Sequence, residues 1–340
     1  MSRHRFLATT AALAAFLICA AAHPATFCIS DATQLAPALL AAQSNGEDDT
    51  IYIEVGTYLP ASELGYFAPS DETYRLSIYG GVAPGCQSGY ASSGSTTLDG
   101  QNAHRILTIS AYGEVDIGRI TFQHASPPMY FGAALNIGNN GHDTYLFSDA
   151  FVANKTAAGY GGGAVYLASQ AQGDIFVWSS LFVGNTSSAG AIYVNGSGNT
   201  YLTGNTIIAN QLINDSGLAG GIDLAGLDNV WLSNNIVWNN DNNDVYDQAG
   251  HARYSNNDIG KLDGFAPLSA VNELNVDPDF DGFFSTRLAP GSPLVNAGTD
   301  AAPGGIGGCC DAGGATRLQG KHVDIGAYET DVLFRDGFGA

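Results

Sequence analysis

The segment YLTGNTIIAN at residues 201–210 has four relatives in the same chain, and that repetition constrains the fold more than any other feature. YLFSDAFVAN (145–154), FVWSSLFVGN (176–185) and WLSNNIVWNN (231–240) share its rhythm, and VDIGRITFQH (115–124) shares it more loosely. The five segments end at His124, Asn154, Asn185, Asn210 and Asn240, in steps of 30, 31, 25 and 30 residues. A second set interleaves with them: ALNI (134–137), AVYL (164–167), AIYV (191–194) and GIDL (221–224), in steps of 30, 27 and 30. Two strand-like segments recurring in fixed order at such a period predict a solenoid.

Alternation within the repeats says which side is inside. Leu135, Val165, Ile192 and Ile222 form one apolar column, and Ile137, Leu167, Val194 and Leu224 another. Between them Asn136, Tyr166, Tyr193 and Asp223 are expected to face water. Apolar–polar–apolar spacing at period two is a half-buried strand, whereas a helix would scatter these residues around its circumference. Leu146, Val177, Leu202 and Leu232 supply a further inward column.

Like stacks on like in such a fold, about 4.8 Å apart. Asn154, Asn185, Asn210 and Asn240 are therefore expected to form a ladder of side-chain amides at a corner, where Asn also tolerates left-handed backbone. Gly163, Gly190 and Gly220 take the corner role on the other side. The fifth position of the first set reads Arg119, Asp149, Ser180, Asn205, Asn235, which predicts an Arg119–Asp149 pair between adjacent turns. His124 falls on the asparagine column and reads as a corner residue.

A solenoid must close its ends. DATQLAPALLAAQ (31–43) places Leu35, Ala38, Leu39 and Ala42 on one helical face, and Pro37 keeps that capping helix short or late-starting. Strands follow at TIYIEVGTY (50–58), LSIYGG (76–81) and TTLDG (96–100).

The chain opens MSRHR, then FLATTAALAAFLICA, then AAHPA: a basic start, an apolar run and small residues, which read as an export signal cleaved after Ala22, with Ala25 as second choice. Ile18 before Cys19 is bulky where lipid attachment requires a small residue. No second apolar run of spanning length follows, so the expected product is exported, without a membrane span after signal removal, and extracellular, on the outer cell surface or periplasmic. Cys28, Cys86, Cys309 and Cys310 then remain, an even number that allows three pairings. Cys28–Cys86 is the favoured bond, and the adjacent Cys309 and Cys310 are either a vicinal bridge or two free thiols. The net charge of −20 argues against a nucleic-acid partner, which requires clustered cations, and against a polyanionic glycan without a bridging metal.

FVANKTAAGYGGGAV (151–165) and FVGNTSSAGAI (182–192) resemble the FxxN and GGA[IV] repeats of polymorphic outer-membrane proteins. DPDF (277–280), APGSPLVNAGT (289–299), Asp311, Gly314, Arg317 and VDIGAYE (323–329) together resemble the choice-of-anchor Q domain, which closes many bacterial right-handed β-helix proteins. LFRDGF near the C-terminus is similar to a short tail on exported proteins of some gamma-proteobacteria. The resemblance covers most of the chain after the signal. It implies an all-β, single-stranded, right-handed parallel β-helix of the pectin-lyase-like kind. The boundaries are a signal at 1–22, an N-terminal cap at 23–49, the β-helix at 50–290, a closing motif at 291–330 and a tail at 331–340. Unlike the polymorphic proteins, the sequence shows no C-terminal barrel. Arg317 with Asp311 and Asp324 reads as a structural knot in the last turn, Arg being suited to bidentate carboxylate pairing.

Chemistry is harder to find. Parallel β-helices also carry polysaccharide lyases and hydrolases, but fold does not transfer function. The candidate groups Asp116, Arg119, Asp149, Lys155, Asp174 and Asp223 are dispersed, and no residue is assigned as catalytic. DPDFDG (277–282) places Asp277, Asp279 and Asp281 as in the start of a calcium loop, but Leu288 stands where that loop needs a bidentate Glu. NNDNNDVYD (239–247) reads equally as a solvated acidic loop. Tyr166 and Tyr193 on adjacent turns offer an aromatic platform for sugar or simply stack on each other. The expected function is a non-catalytic, adhesin-like or glycan-binding surface protein whose partner is a glycan or another cell-surface component. A lyase or hydrolase on the long side of the solenoid is the alternative.

Overall fold

The computed structural model describes residues 24–330 apart from 87–88, 92–93, 171–172, 215–216, 284 and 307–309; the expected signal, the tail at 331–340, Cys19 and Cys309 lie outside them. The chain is a parallel β-helix whose turns trace a triangle of three faces, and every strand pairing between its turns is parallel. The first face stacks Ala25–Ile29, Asp49–Glu54, Leu76–Val82, Val115–Gly118, Thr144–Phe147 and Ile175–Trp178 in turn. The second is an eight-stranded sheet from Gly56–Tyr58 to Asp258–Ile259. The third carries Leu64–Phe67, Leu107–Ala111, Leu135–Asn139 and Val165–Ser169. Two long strands, Ile192–Thr203 and Ala219–Ser233, run without a break from the third face into the first.

The inward columns follow the alternation. Leu135, Val165, Ile192 and Ile222 are in register, as are Leu146, Val177, Leu202 and Leu232, and all are buried. Phe122, Phe151 and Phe182 stack inside the second face with centroids 5.1 and 4.8 Å apart. Helix Leu35–Ala42 closes the N-terminal end with Leu35, Ala38, Leu39 and Ala42 in the same core. Asp31 caps the short 3-10 turn before it through a capping box with Gln34. A Cys28–Cys86 disulfide ties the first strand to the loop beyond Leu76–Val82. Cys310 is also disulfide-bonded.

The asparagines form a ladder inside the corner. Asn154 Nδ2 donates to Asn185 Oδ1 (2.9 Å), Asn185 Nδ2 to Asn210 Oδ1 (3.0 Å), and Asn210 Nδ2 to Asn240 Oδ1 (2.8 Å). Each Oδ1 also accepts a backbone N–H from the preceding turn, and each Nδ2 donates to a carbonyl there: Phe122, Phe151, Phe182 and Ile207 respectively. The left-handed residue is the one before each asparagine, namely Ala153, Gly184, Ala209 and Asn239, so corner tolerance is not why Asn is there. Its amide replaces backbone partners that the corner removes. Of the three corner glycines, Gly190 takes positive φ, whereas at Gly163 and Gly220 a Cβ would come within 2.9 and 2.7 Å of neighbouring backbone.

A second ladder runs one corner earlier. Asn205 Nδ2 donates to Asn235 Oδ1, Asn235 Nδ2 to Asn257 Oδ1, and Asn257 Nδ2 to both oxygens of Glu273. The first ladder ends likewise, with Asn240 Nδ2 donating to Asp244 Oδ1 (2.7 Å). A terminal group needs only to accept, and a carboxylate suits that role.

This corner corrects the expected Arg119–Asp149 pair. The strand register sets Gly118 opposite Phe147 and Thr121 opposite Ala150, so Arg119 stacks against Ser148 and Ile120 against Asp149. The 115–124 repeat is therefore displaced by one residue, and Ala125 rather than His124 stands in the asparagine column, its N–H donating to Asn154 Oδ1. Asp149 opens the second ladder: its Oδ1 accepts from Ile120 N (2.9 Å), while its buried Oδ2 has no partner. Oδ2 takes the place where the asparagines of this column carry their amide nitrogen.

Burial holds the Asp149 carboxyl well above the usual carboxylate range, opposed by the backbone donors. Such a group contributes stability that is full below its unfolded pKa and is lost as pH rises toward the folded value. Asp149→Asn is thus expected to raise the melting temperature by about 5 °C near neutral pH, with little change at pH below the unfolded carboxyl value. Calorimetry across pH checks this, and an equal effect at all pH would sink it.

The C-terminal segment, expected to form a last turn, instead runs back along the solenoid. It lies on the left-handed column Arg119, Ser148, Gly204, Asn234 and Asn256. Asn256 Nδ2 donates to Ala297 O, Asn234 Nδ2 to Thr299 O, and Ser148 Oγ to Asp311 O. Small residues let this strap approach: a Cβ on Gly204 would sit 2.7 Å from the Arg317 guanidinium. Leu288, Leu294 and Ile325 bury Ile236 in a second apolar cluster beneath it. The fully buried Arg317 pairs with Glu329 (3.1 Å) and donates to the carbonyls of Gly326 and Asp324. The Asp311 and Asp324 carboxylates, expected to hold Arg317 directly, instead accept backbone N–H groups of Gly313, Ala315, Glu329, Asn296 and Thr330.

Candidate functional site

The described surface gathers side chains at several places, one of them a cleft of about 390 Å³ in the C-terminal segment lined by Asp281, Arg287, Asp311 and Glu329. The most regular is on the first face, where Tyr145, Phe176, Tyr201 and Trp231 stack with centroids 4.7 to 4.9 Å apart and planes within 14°. Arg253 covers the last ring at 5.1 Å. Rings stacked in this way spend their faces on each other and turn their edges outward. A sugar needs a ring face, so this ladder serves cohesion between turns, each pair adding about 0.5–1.5 kcal/mol beyond area burial.

The third face differs. Tyr166 and Tyr193 are stacked (5.7 Å, 25°), and Phe131 leans on both at 5.2 and 5.3 Å. Tyr160 meets the edge of Phe131, and Tyr130, largely exposed, extends the cluster outward. Beside Tyr166 lies an open groove of about 390 Å³ lined by Ala168, Ser169, Gln170, Asn195, Gly196, Ser197 and Gly226. The long strand Ile192–Thr203 makes it. Its register against the next turn shifts between Val194, Gly196 and Asn199, and this bulge lifts Asn195 out to solvent. Gly196 allows the approach, because a Cβ there would lie 2.8 Å from Ser169 O. Asp223, expected to face water, is instead buried; Gln248 Nε2 covers it (2.5 Å), and burial pushes its pKa up to about 6.

The spacing carried an unused clue to this groove. Six residues separate AIYV from YLTG and GIDL from WLSN, against seven and eight in the two preceding repeats. A shorter link at this corner is what lets the strand continue across it.

Another place is a cleft of about 420 Å³ between the second-face corner and the strap, lined by Arg119, Asp149, Ser95, Gly314 and Tyr328 among others. Arg119 lies over the Tyr90 ring at 3.7 Å. Asp149 is the one carboxylate among the lining residues, and it is fully buried.

The remaining candidates do not converge. Asp116 sits on the first face with Tyr79 OH at 3.2 Å, and burial raises its pKa against the pull of Arg75. Asp174 accepts from Asn199, Lys155 is exposed, and His124 pairs with Asp99 (3.1 Å). Asp277, Asp279 and Asp281 are exposed, with Asp277 Oδ1 accepting from Asp279 N. Among the described residues their oxygens do not gather at ligand distance; the group that does, Cys28, Glu54 and Cys86, has its sulfurs bonded to each other. Among the described residues no helix is long and apolar enough to cross a membrane.

No family of known proteins, no curated protein and no solved structure matches the chain, so the likeness to polymorphic outer-membrane and choice-of-anchor Q sequences rests on the quoted motifs alone.

Proposed function

We propose that this chain is an exported, non-catalytic β-helix that binds a neutral glycan in the groove beside Tyr166. One observation carries the reading: in a protein of net charge −20, the described residues that line the groove are all uncharged. Amides and hydroxyls, with the edge and hydroxyl of the Tyr166 ring beside them, are the chemistry that recognises sugar hydroxyls without attracting ions. The leader-like first residues support export, and the disulfide bonds fit an oxidising compartment.

The alternative, a polysaccharide hydrolase, would need two carboxylates facing one sugar. The groove has none among its described lining residues, the Arg119 cleft has one, buried, and of the three that line a cleft of about 390 Å³ at Arg287 only Asp281 is exposed, Asp311 and Glu329 being buried and bonded within the strap. Affinity electrophoresis against neutral and acidic polysaccharides, with reducing-end release measured in parallel, separates the readings. A neutral polymer is expected to retard the protein without being cleaved. Asn195→Ala and Tyr166→Ala should each weaken binding by about tenfold or more, and Lys155→Ala should not. Cleavage of any polymer, or retardation indifferent to both groove variants, would refute the proposal.

A further inference from the structure

The two ends of the solenoid are finished differently. Helix Leu35–Ala42 closes the N-terminal end with four buried side chains. At the other end the last strands are Leu262–Gly264 and Ser269–Val271. Among the described residues each pairs on one side only, Leu262–Gly264 with Asn243–Asp247 and Ser269–Val271 with Ala252–Ser255. All six residues are exposed. Their apolar side chains and neighbours stand open as well: Leu262 is 41% exposed, Phe265 63%, Leu268 57% and Val271 53%. A free strand edge with apolar flanks is a template for another strand.

We propose that this end pairs with the same end of a second copy of the chain, forming a tail-to-tail dimer about a two-fold axis. Among the described residues the first strand, Ala25–Ile29, also pairs on one side only, but helix Leu35–Ala42 fills the core behind it, so the open apolar end is matched by its like in a second copy, and a contact between like surfaces terminates at two copies. A two-fold axis makes the joining strands antiparallel. The edge strand reads Lys261, Leu262, Asp263. Leu262 takes the register of the inward Val245 and Asp263 that of Tyr246, so Lys261 and Asp263 share the outer face. Antiparallel pairing centred on Leu262 sets Lys261 of one copy opposite Asp263 of the other, twice, with the two Leu262 side chains meeting between them. The strand is thus complementary in charge to its own reverse, which neither a head-to-tail contact nor an unrelated partner requires. This proposal does not depend on the glycan groove, which lies on the side of the solenoid.

Sedimentation velocity on the purified protein over a concentration series tests it. A monomer–dimer equilibrium is expected, weakened about tenfold or more by Lys261→Asp and by Asp263→Lys singly, because each sets like charges opposite one another. The double variant with both changes should restore it. Leu262→Asp with Val271→Asp should give monomer with the circular dichroism spectrum of the unaltered protein. A monomer at every concentration overturns the proposal, as does a double variant no better than the singles. Dimerisation that begins only after removal of residues 331–340 also overturns it, because the chain's own tail would then be the occupant.

Discussion

Replacing Arg317 with alanine is expected to release the strap from the solenoid and to cost about 3–5 kcal/mol, the range for removing one partner of a buried ion pair. Arg317 is about as buried as any residue in the chain. Its Nη1 serves Glu329 and Gly326 O, and its Nη2 serves Asp324 O. Without it Glu329 is left in a site where burial already raises its pKa against the pull of the guanidinium. Two strap carbonyls lose their donor at the same time. Lysine is a poor substitute, since one ammonium cannot reproduce a planar fork. The change is expected to be local: limited proteolysis should cut between 295 and 330 while the β-sheet circular dichroism persists. Unchanged melting and protease resistance would mean that the strap is held by the Ile236, Leu288, Leu294 and Ile325 cluster instead.

Asn210→Leu should be the most damaging single change inside the solenoid. Asn210 is buried in mid-ladder and joins three turns. Its loss leaves the N–H of Asn185 without an acceptor, its Nδ2 with Phe151 O alone, and Phe182 O without this donor. Each buried group left unpaired costs about 1–3 kcal/mol, so a total near the upper end of single-residue effects is expected. Asn154→Leu, nearer the end of the ladder, should cost less. Denaturant unfolding of the two variants checks the ranking, and equal or trivial losses would show that water replaces the amides.

What the sequence revealed followed from repetition. The period-two columns placed Leu135, Val165, Ile192 and Ile222 inside, because one apolar residue slipped out of register would face solvent. The repeat at 115–124 was misread by one residue because Ala125 occupies the asparagine position and leaves no polar landmark. The second ladder was hidden by its variety: Asp149, Ser180, Asn205 and Asn235 do one job with different atoms. The strap was invisible because a segment that crosses many turns has no period of its own. The groove beside Tyr166 depends on a bulge, and bulges are set by how adjacent turns meet.

The strap also acts as a gauge of length. It touches Asn256 at Ala297 and reaches Arg119 with Gly314, whose Cβ would lie 3.3 Å from that guanidinium. Inserting one whole repeat between those points would satisfy every ladder but lengthen the axis by about 4.8 Å, pulling each strap contact off its residue. The number of turns between Arg119 and Asn256 is therefore set by a segment outside the turns. Growth or shrinkage of this solenoid is tolerated only toward its ends, before Arg119 or after Asn256.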